Sequence, residues 1–230
     1  MWKEDSSISV PEWMSHPQHR GAAIPGDSAR TEMRGGPLTQ YPVTRYVYRP
    51  ISTRLATLLA VTPITPLSVT WIAAGIALAG AAFLAAGLYI PGALLTFASV
   101  IADCADGDLA RATRRSSQVG AFLDSVLDRW TDAALILGLA YSDFDSYGPI
   151  AGLALTGSLL TSYTRARAQS LGVDCPDGIG ARDSRILILV IAALIGFIWW
   201  GLLIVAVTGF ATSIQRGLIA ARQLRSVDQV

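Results

Sequence analysis

The segment Leu67 to Leu88 runs for 22 residues without one charged side chain. A helix needs roughly 20 mostly apolar residues to cross about 30 Å of hydrocarbon. This run alone commits the chain to a membrane architecture. Pro66 suits a first helical position and Thr65 the cap before it, which places the start of the helix there. Further apolar stretches follow at Pro91 to Ala112, Val119 to Tyr141, Gly148 to about Ser170, and Ile186 to Leu218. The last is too long for one span. Gly196 to Gly201, with Trp199 and Trp200, reads as a tight turn at an interface that divides it. The expectation is an all-α integral membrane protein with six transmembrane helices.

Composition agrees with that reading. Only 15% of the 230 residues are charged and 52% are hydrophobic, whereas soluble domains carry about 25% charge. An ordinary cytosolic enzyme, a nucleic-acid binder and a disordered tail protein are excluded. Two cysteines, Cys104 and Cys175, are too few for a disulfide scaffold. The net charge of +1 matters less than where the charges sit. Arginines cluster at 45–54, 111–115, 165–185 and 216–225, and the intervening loops near Leu88, Ser142 and Gly196 hold none. By the positive-inside rule both termini, and whatever lies at that end of the spans, face the cytoplasm. The expected organisation is a polar, disordered segment over 1–42, a juxtamembrane amphipathic helix over 43–62, and a six-span domain over 63–225. The helix, with Pro50 as a potential break, would lie on the anionic leaflet; a plain linker is the alternative.

Six aspartates interrupt the second and third apolar stretches: Asp103, Asp106, Asp108, Asp124, Asp128 and Asp132. A charge at the centre of a bilayer costs at least about 2.5 kcal/mol, so such residues are functional by default. Asp103 and Asp106 are three apart and Asp124 and Asp128 four apart, so each pair shares a helix face. Asp108 falls on another face. The polar stretch Thr113 to Gln118 reverses the chain, and the two pairs then confront each other. Four close anions do not all stay ionised without compensation. Two divalent cations supply it. Oxygen ligands select Mg²⁺, with Mn²⁺ or Ca²⁺ as alternatives, over zinc. Gly107 and Ala110 open a groove beside the carboxylates where a flat ring can approach the backbone, and Arg111 offers a planar fork for a phosphate. Helix packing is the competing use of such small residues.

Asp103-Cys104-Ala105-Asp106-Gly107-Asp108-Leu109-Ala110-Arg111, eight residues, Gly120, three residues, Asp124, three residues, Asp128 resembles the signature of the CDP-alcohol phosphotransferases. That pattern is D-x2-D-G-x2-A-R-x8-G-x3-D-x3-D, and all eight fixed positions match. One departure precedes it: Thr65-Pro66-Leu67 stands where the family often has T-P-N. The resemblance implies transfer of a substituted phosphoryl group from a CDP-alcohol to a hydroxyl, with release of CMP. It implies that Asp103, Asp106, Asp124 and Asp128 bind two metal ions, and that Asp128 is also the catalytic base. Asp106, Gly107, Ala110, Arg111 and Gly120 would bind the nucleotide, and the protein would be a homodimer.

The acceptor is read from a second cluster. Ser162-Tyr163-Thr164-Arg165-Ala166-Arg167 is similar to the S-Y-x-[KR]-A-R-A stretch of phosphatidylinositol-phosphate synthases and their archaetidyl counterparts. The resemblance implies a pocket for the phosphate of inositol 1-phosphate built from Arg165, Arg167 and Arg216. Arg182 and Arg185 are expected to extend the same basic surface. On a helix Arg165 and Arg167 splay by about 160°, so positive-inside arginines without a ligand are the alternative. Glycerol 3-phosphate is a second anionic acceptor. Pro42 to Thr70 is similar to the membrane part of bifunctional enzymes that make di-inositol phosphate from CDP-inositol, and no cytidylyltransferase domain is expected here. The lipid donor reads as CDP-diacylglycerol or CDP-archaeol. A carboxylate-lined cation transporter is the rival from another class.

Overall fold

The computed structural model describes residues 43–173, 175 and 180–227. The segment 1–42, expected to be polar and disordered, lies outside the described residues. Among the described residues the architecture is all helical. A π-helical turn, Thr44–Tyr48, leads directly into α1 (Arg49–Ala60). Then come α2 (Pro66–Ala85), α3 (Tyr89–Ala112), α4 (Gln118–Ser142), α5 (Phe144–Ser170), α6 (Arg182–Ile195) and α7 (Ile198–Val227). Pro50 does not break the first helix. It sits in the opening turn of α1, at the junction with the π-helical turn, where the Arg49 N–H donates back to the Thr44 carbonyl.

Local chemistry sets most of the boundaries. Thr65 caps α2 by accepting from the Ser68 N–H at 3.2 Å, with Pro66 at the first helical position. Ser117 caps α4 in the same way through the Gly120 N–H at 3.0 Å. Asp143 caps α5 through the Ser146 N–H at 3.2 Å. That cap draws the start of α5 upstream of the expected Gly148 to Phe144. The α6–α7 turn is also tighter than expected. Gly196, at φ +77°, ends α6 in the left-handed region, and Trp199 and Trp200 already belong to the first turn of α7. Between α3 and α4 the reversal places Arg114 at φ +54°, a conformation costing a non-glycine residue roughly 1–2 kcal/mol.

Three helices among the described residues are long and apolar enough to cross a membrane: Pro66–Ala85, Tyr89–Ala112 and Ile198–Ser226. α6 falls short because its 14 residues rise only about 21 Å. α4 is diluted by Asp124, Asp128, Arg129 and Asp132. Packing links these elements pairwise. α2 lies along both α3 and α4, α1 covers α3, α5 lies along α7, and α6 bridges α3 and α7. Several crossings depend on glycine, two of them involving site-bearing helices. A Cβ on Gly138 of α4 would lie 2.5 Å from the Ala81 carbonyl of α2, and one on Gly209 of α7 would lie 2.8 Å from the Gly157 backbone of α5. At the second crossing the Thr161 hydroxyl donates to the Gly209 carbonyl at 2.8 Å. This close approach holds the C-terminal half of α5 against α7, and there the arginines of the site gather.

Candidate active site

α3 and α4 deliver the carboxylates. Asp103, Asp106 and Asp124 each offer an oxygen within 4.8 Å of the other two. Oxygens bound to one ion at 2.0–2.6 Å lie no more than about 5 Å apart, so this trio fits a hard divalent cation. Asp106 is buried and accepts from the Thr70 hydroxyl of α2 at 2.5 Å. Asp128 stands apart from the trio. Its Oδ1 lies 2.7 Å from Arg182 Nη1 as an ion pair without an aligned hydrogen bond, and its Oδ2 accepts from Arg129 at 3.2 Å. Arg182 Nη1 also donates to Asp103 at 2.9 Å. The fourth motif carboxylate is therefore joined to Asp103 through a guanidinium.

Beside the carboxylates, no neighbouring helix fills the space over Gly107 among the described residues. Beyond the backbone of its own helix, a Cβ on Gly107 would meet only the Arg111 guanidinium among the described residues, at 3.5 Å. No neighbouring helix uses this small residue for packing, in contrast to Gly138 and Gly209. Ala110 lies half-buried next to it. Arg111 is exposed, and its Nη2 donates to Asp108 at 2.6 Å. Asp108, as expected, points to another face. It accepts from Ser52 and Thr53 of α1 at 3.3 Å each and so fastens α1 beside the groove. Gly120 sits in the first turn of α4 under the Ser117 cap.

On the other side of Asp103 and Asp128 opens a cavity of about 800 Å³, lined by Arg129, Arg165, Arg182, Arg185 and Arg216 together with Ser162 and Gln169. That volume suits a small polar ligand and part of a second one. Arg216 is buried and donates to the Thr161 carbonyl at 2.9 Å. Arg185 is buried as well, donating to the Gly180 carbonyl at 2.5 Å. Arg182 lines the cavity, but its guanidinium is engaged by Asp103, Asp128 and Asp132. Arg167 is not among the lining residues; it turns outward and reaches Ser170 at 3.4 Å. The divergence of positions two apart on a helix accounts for the separation of Arg165 from Arg167.

Three participants had no assigned role in the sequence reading. Arg129 donates to Ser162 and Asp128, tying α4 to α5. Asp132 is buried and pairs with Arg182 and Arg185. Asp183 accepts from Thr44 through its carboxylate and from the buried Tyr48 hydroxyl through its carbonyl. A general signal existed for the first two, because an ionised side chain within an apolar stretch requires a partner.

The model of the CDP-alcohol phosphatidyltransferase domain matches residues 55–213, from the middle of α1 to the site-bearing part of α7. The chain belongs to this family. It is accordingly a CDP-alcohol phosphotransferase, a membrane transferase of phospholipid biosynthesis. Among its relatives, the archaetidylinositol phosphate synthase of Methanothermobacter thermautotrophicus is 37% identical over 191 residues, 80% of this chain and 93% of that protein. The bifunctional IPC transferase and DIPP synthase of Rubrobacter xylanophilus is 41% identical, with 80% of this chain aligned to 43% of that protein. The phosphatidylinositol phosphate synthase of Mycobacterium tuberculosis, solved with CDP-DAG bound, superposes with a TM-score of 0.67 at 27% identity, covering 74% of this chain and 94% of that one. The same enzyme in complex with manganese and citrate gives 0.68, covering 74% and 88%. Together with the carboxylate trio, that manganese complex supports divalent metal binding by this family member.

Proposed function

We propose that this transferase moves a phosphatidyl-type group from CDP-diacylglycerol or CDP-archaeol to a hydroxyl of inositol 1-phosphate. One observation carries the reading: motif aspartates, Asp103 and Asp128, and a set of arginines line the same cavity. An acceptor phosphate held by Arg165, Arg185 and Arg216 would bring its alcohol to Asp128, and charge-assisted bonds suit a dianion. The names of the archaetidylinositol-phosphate and phosphatidylinositol-phosphate synthases support the same acceptor. Arg182 serves this reading from the carboxylate side. Arg167 contributes to the basic outer surface.

Asp103, Asp106, Asp124 and Asp128 would hold two divalent cations, Mg²⁺ in the first instance, and these supply charge neutralisation at the diphosphate when bound. The chain's own groups do the rest. Gly107 and Ala110 admit the cytidine ring to the α3 backbone beside Gly120, and Arg111, steadied by Asp108, faces the phosphates. Asp128 accepts the proton of the attacking hydroxyl. The acceptor oxygen bonds to the lipid-bearing phosphorus, the bond from that phosphorus to the CMP oxygen breaks, and CMP leaves.

The reading includes six membrane spans, α2 to α7. Each helix turns outward a large apolar side chain that is about half exposed: Ile72, Leu94, Leu137, Leu153, Ile191 and Val207. Such faces suit lipid, with the charged side chains turned inward. Residues 43–62 lie at the membrane surface, 63–225 form the membrane domain, and 1–42 precede both. Both termini and the site face the cytoplasm, where CDP-alcohols and sugar phosphates are found, and the protein is a homodimer. The test is CMP release by purified protein with Mg²⁺ and CDP-diacylglycerol, comparing inositol 1-phosphate, glycerol 3-phosphate, free inositol and serine. Turnover with inositol 1-phosphate that is lost in Asp128→Asn supports the reading. Turnover with glycerol 3-phosphate alone, or only with CDP-inositol as donor, overturns the choice of acceptor or donor.

A further inference from the structure

Arg182 stands between the carboxylates and the basic cavity, and Asp132 holds it from behind. From one edge its guanidinium reaches Asp103 at 2.9 Å and Asp128 at 2.7 Å. From the other edge Nε donates to Asp132 Oδ1 at 3.0 Å, and Nη2 donates to the Thr131 hydroxyl at 3.3 Å. Asp132 lies one turn beyond Asp128 on the same face of α4, outside the eight motif positions, and is 5% exposed. Its second oxygen is 3.7 Å from Arg185.

This arrangement is a competition. Asp103 and Asp128 belong to the metal-binding set of the functional reading, and the same two carboxylates face Arg182. A guanidinium on those oxygens occupies lone pairs that a cation needs, and its charge repels a cation. Asp132 acts in the opposite direction. It offsets the charge of Arg182 and draws the Nε edge away from the motif carboxylates. Resting on the functional reading above, we propose that Asp132 is a positioning residue that sets the affinity of the site for divalent cations by competing with Asp103 and Asp128 for Arg182.

The signs separate this role from a purely structural one. Asp132→Asn leaves Arg182 to the motif carboxylates and adds one unit of positive charge, so cation affinity falls, by about tenfold for a coupling of ordinary size. Arg182→Gln removes the competitor and raises affinity by a comparable factor. The double variant returns towards the starting value. General loosening of the helices would weaken binding in both single variants.

The experiment titrates Mn²⁺ alone into the full-length protein in detergent micelles, following the electron paramagnetic resonance signal of free Mn²⁺, with Asp124→Asn as reference. The expected result is weaker binding in Asp132→Asn, tighter binding in Arg182→Gln and an intermediate value in the double variant. Equal affinity of Asp132→Asn and the unmodified protein, or weaker binding in Arg182→Gln, overturns the proposal while Asp124→Asn still abolishes binding. Undiminished Mn²⁺ binding in Asp124→Asn overturns the metal assignment of the functional reading itself, and this inference with it.

Discussion

Replacing Gly107 by alanine should move stability and substrate binding in opposite directions. Beyond its own helix, the added Cβ would meet only the Arg111 guanidinium among the described residues, at 3.5, 3.7 and 3.9 Å. These are ordinary contacts with a flexible, exposed side chain, so no backbone atom must shift. Alanine is better than glycine in a helix interior by roughly 0.5–1 kcal/mol, and the unliganded protein should therefore unfold at a slightly higher temperature. In the proposed complex the same methyl occupies space that the nucleotide needs against the α3 backbone. Overpacking typically costs about 1–3 kcal/mol, which corresponds to a 5- to 150-fold weaker interaction at roughly 1.4 kcal/mol per factor of ten. The assay pairs thermal unfolding in detergent with CDP-alcohol titration of CMP release. A rise in KM for the donor with unchanged or raised thermal stability is the expected result. Unaltered donor KM would refute the assignment of this groove to the nucleotide, and a large loss of stability would refute the packing argument.

Gly209→Ala should do the reverse, because its Cβ would lie 2.8 Å from the Gly157 backbone at the α5–α7 crossing; a loss on the order of 1–3 kcal/mol lowers the unfolding temperature of the unliganded protein. Arg216→Ala should raise the KM for inositol 1-phosphate about 10- to 100-fold, the worth of one charge-assisted bond, with donor KM unchanged in steady-state kinetics. The Thr161 carbonyl that Arg216 engages keeps the Thr164 hydroxyl at 3.1 Å, so folding should survive. Removal of divalent cations by EDTA should abolish CMP release, and added Mg²⁺ or Mn²⁺ should restore it; activity that persists in excess chelator would contradict a metal-dependent site.

The parts of the site legible in the sequence are those fixed by local spacing. Helical periodicity places Asp103 with Asp106 on α3, and the polar reversal brings Asp124 of α4 to them, whereas Asp128 stands apart on Arg182. The Thr65 and Gly196 boundaries follow from cap chemistry that acts within a few residues. The electrostatic partners of Asp128 and Asp132 were hidden, because Arg182 lies fifty residues beyond Asp132 in the chain and arrives with a different helix. Arg165 and Arg167 look equivalent in a motif, yet one lines the cavity and the other does not, since positions two apart on a helix diverge. α6 begins ahead of the apolar run expected from Ile186, because Arg182 and Arg185 belong to its first turn and bind inward. Asp183 carries no local signal of its role, because the groups it receives, Thr44 and Tyr48, lie at the start of the first helical segment.

The most direct test of the central claim is the mass of the lipid formed from CDP-diacylglycerol and inositol 1-phosphate by purified protein with Mg²⁺, measured alongside CMP. The account predicts one phosphatidylinositol phosphate per CMP, with neither product formed by Asp128→Asn. CMP released without an inositol-containing lipid, or equal product from Asp128→Asn, would contradict it.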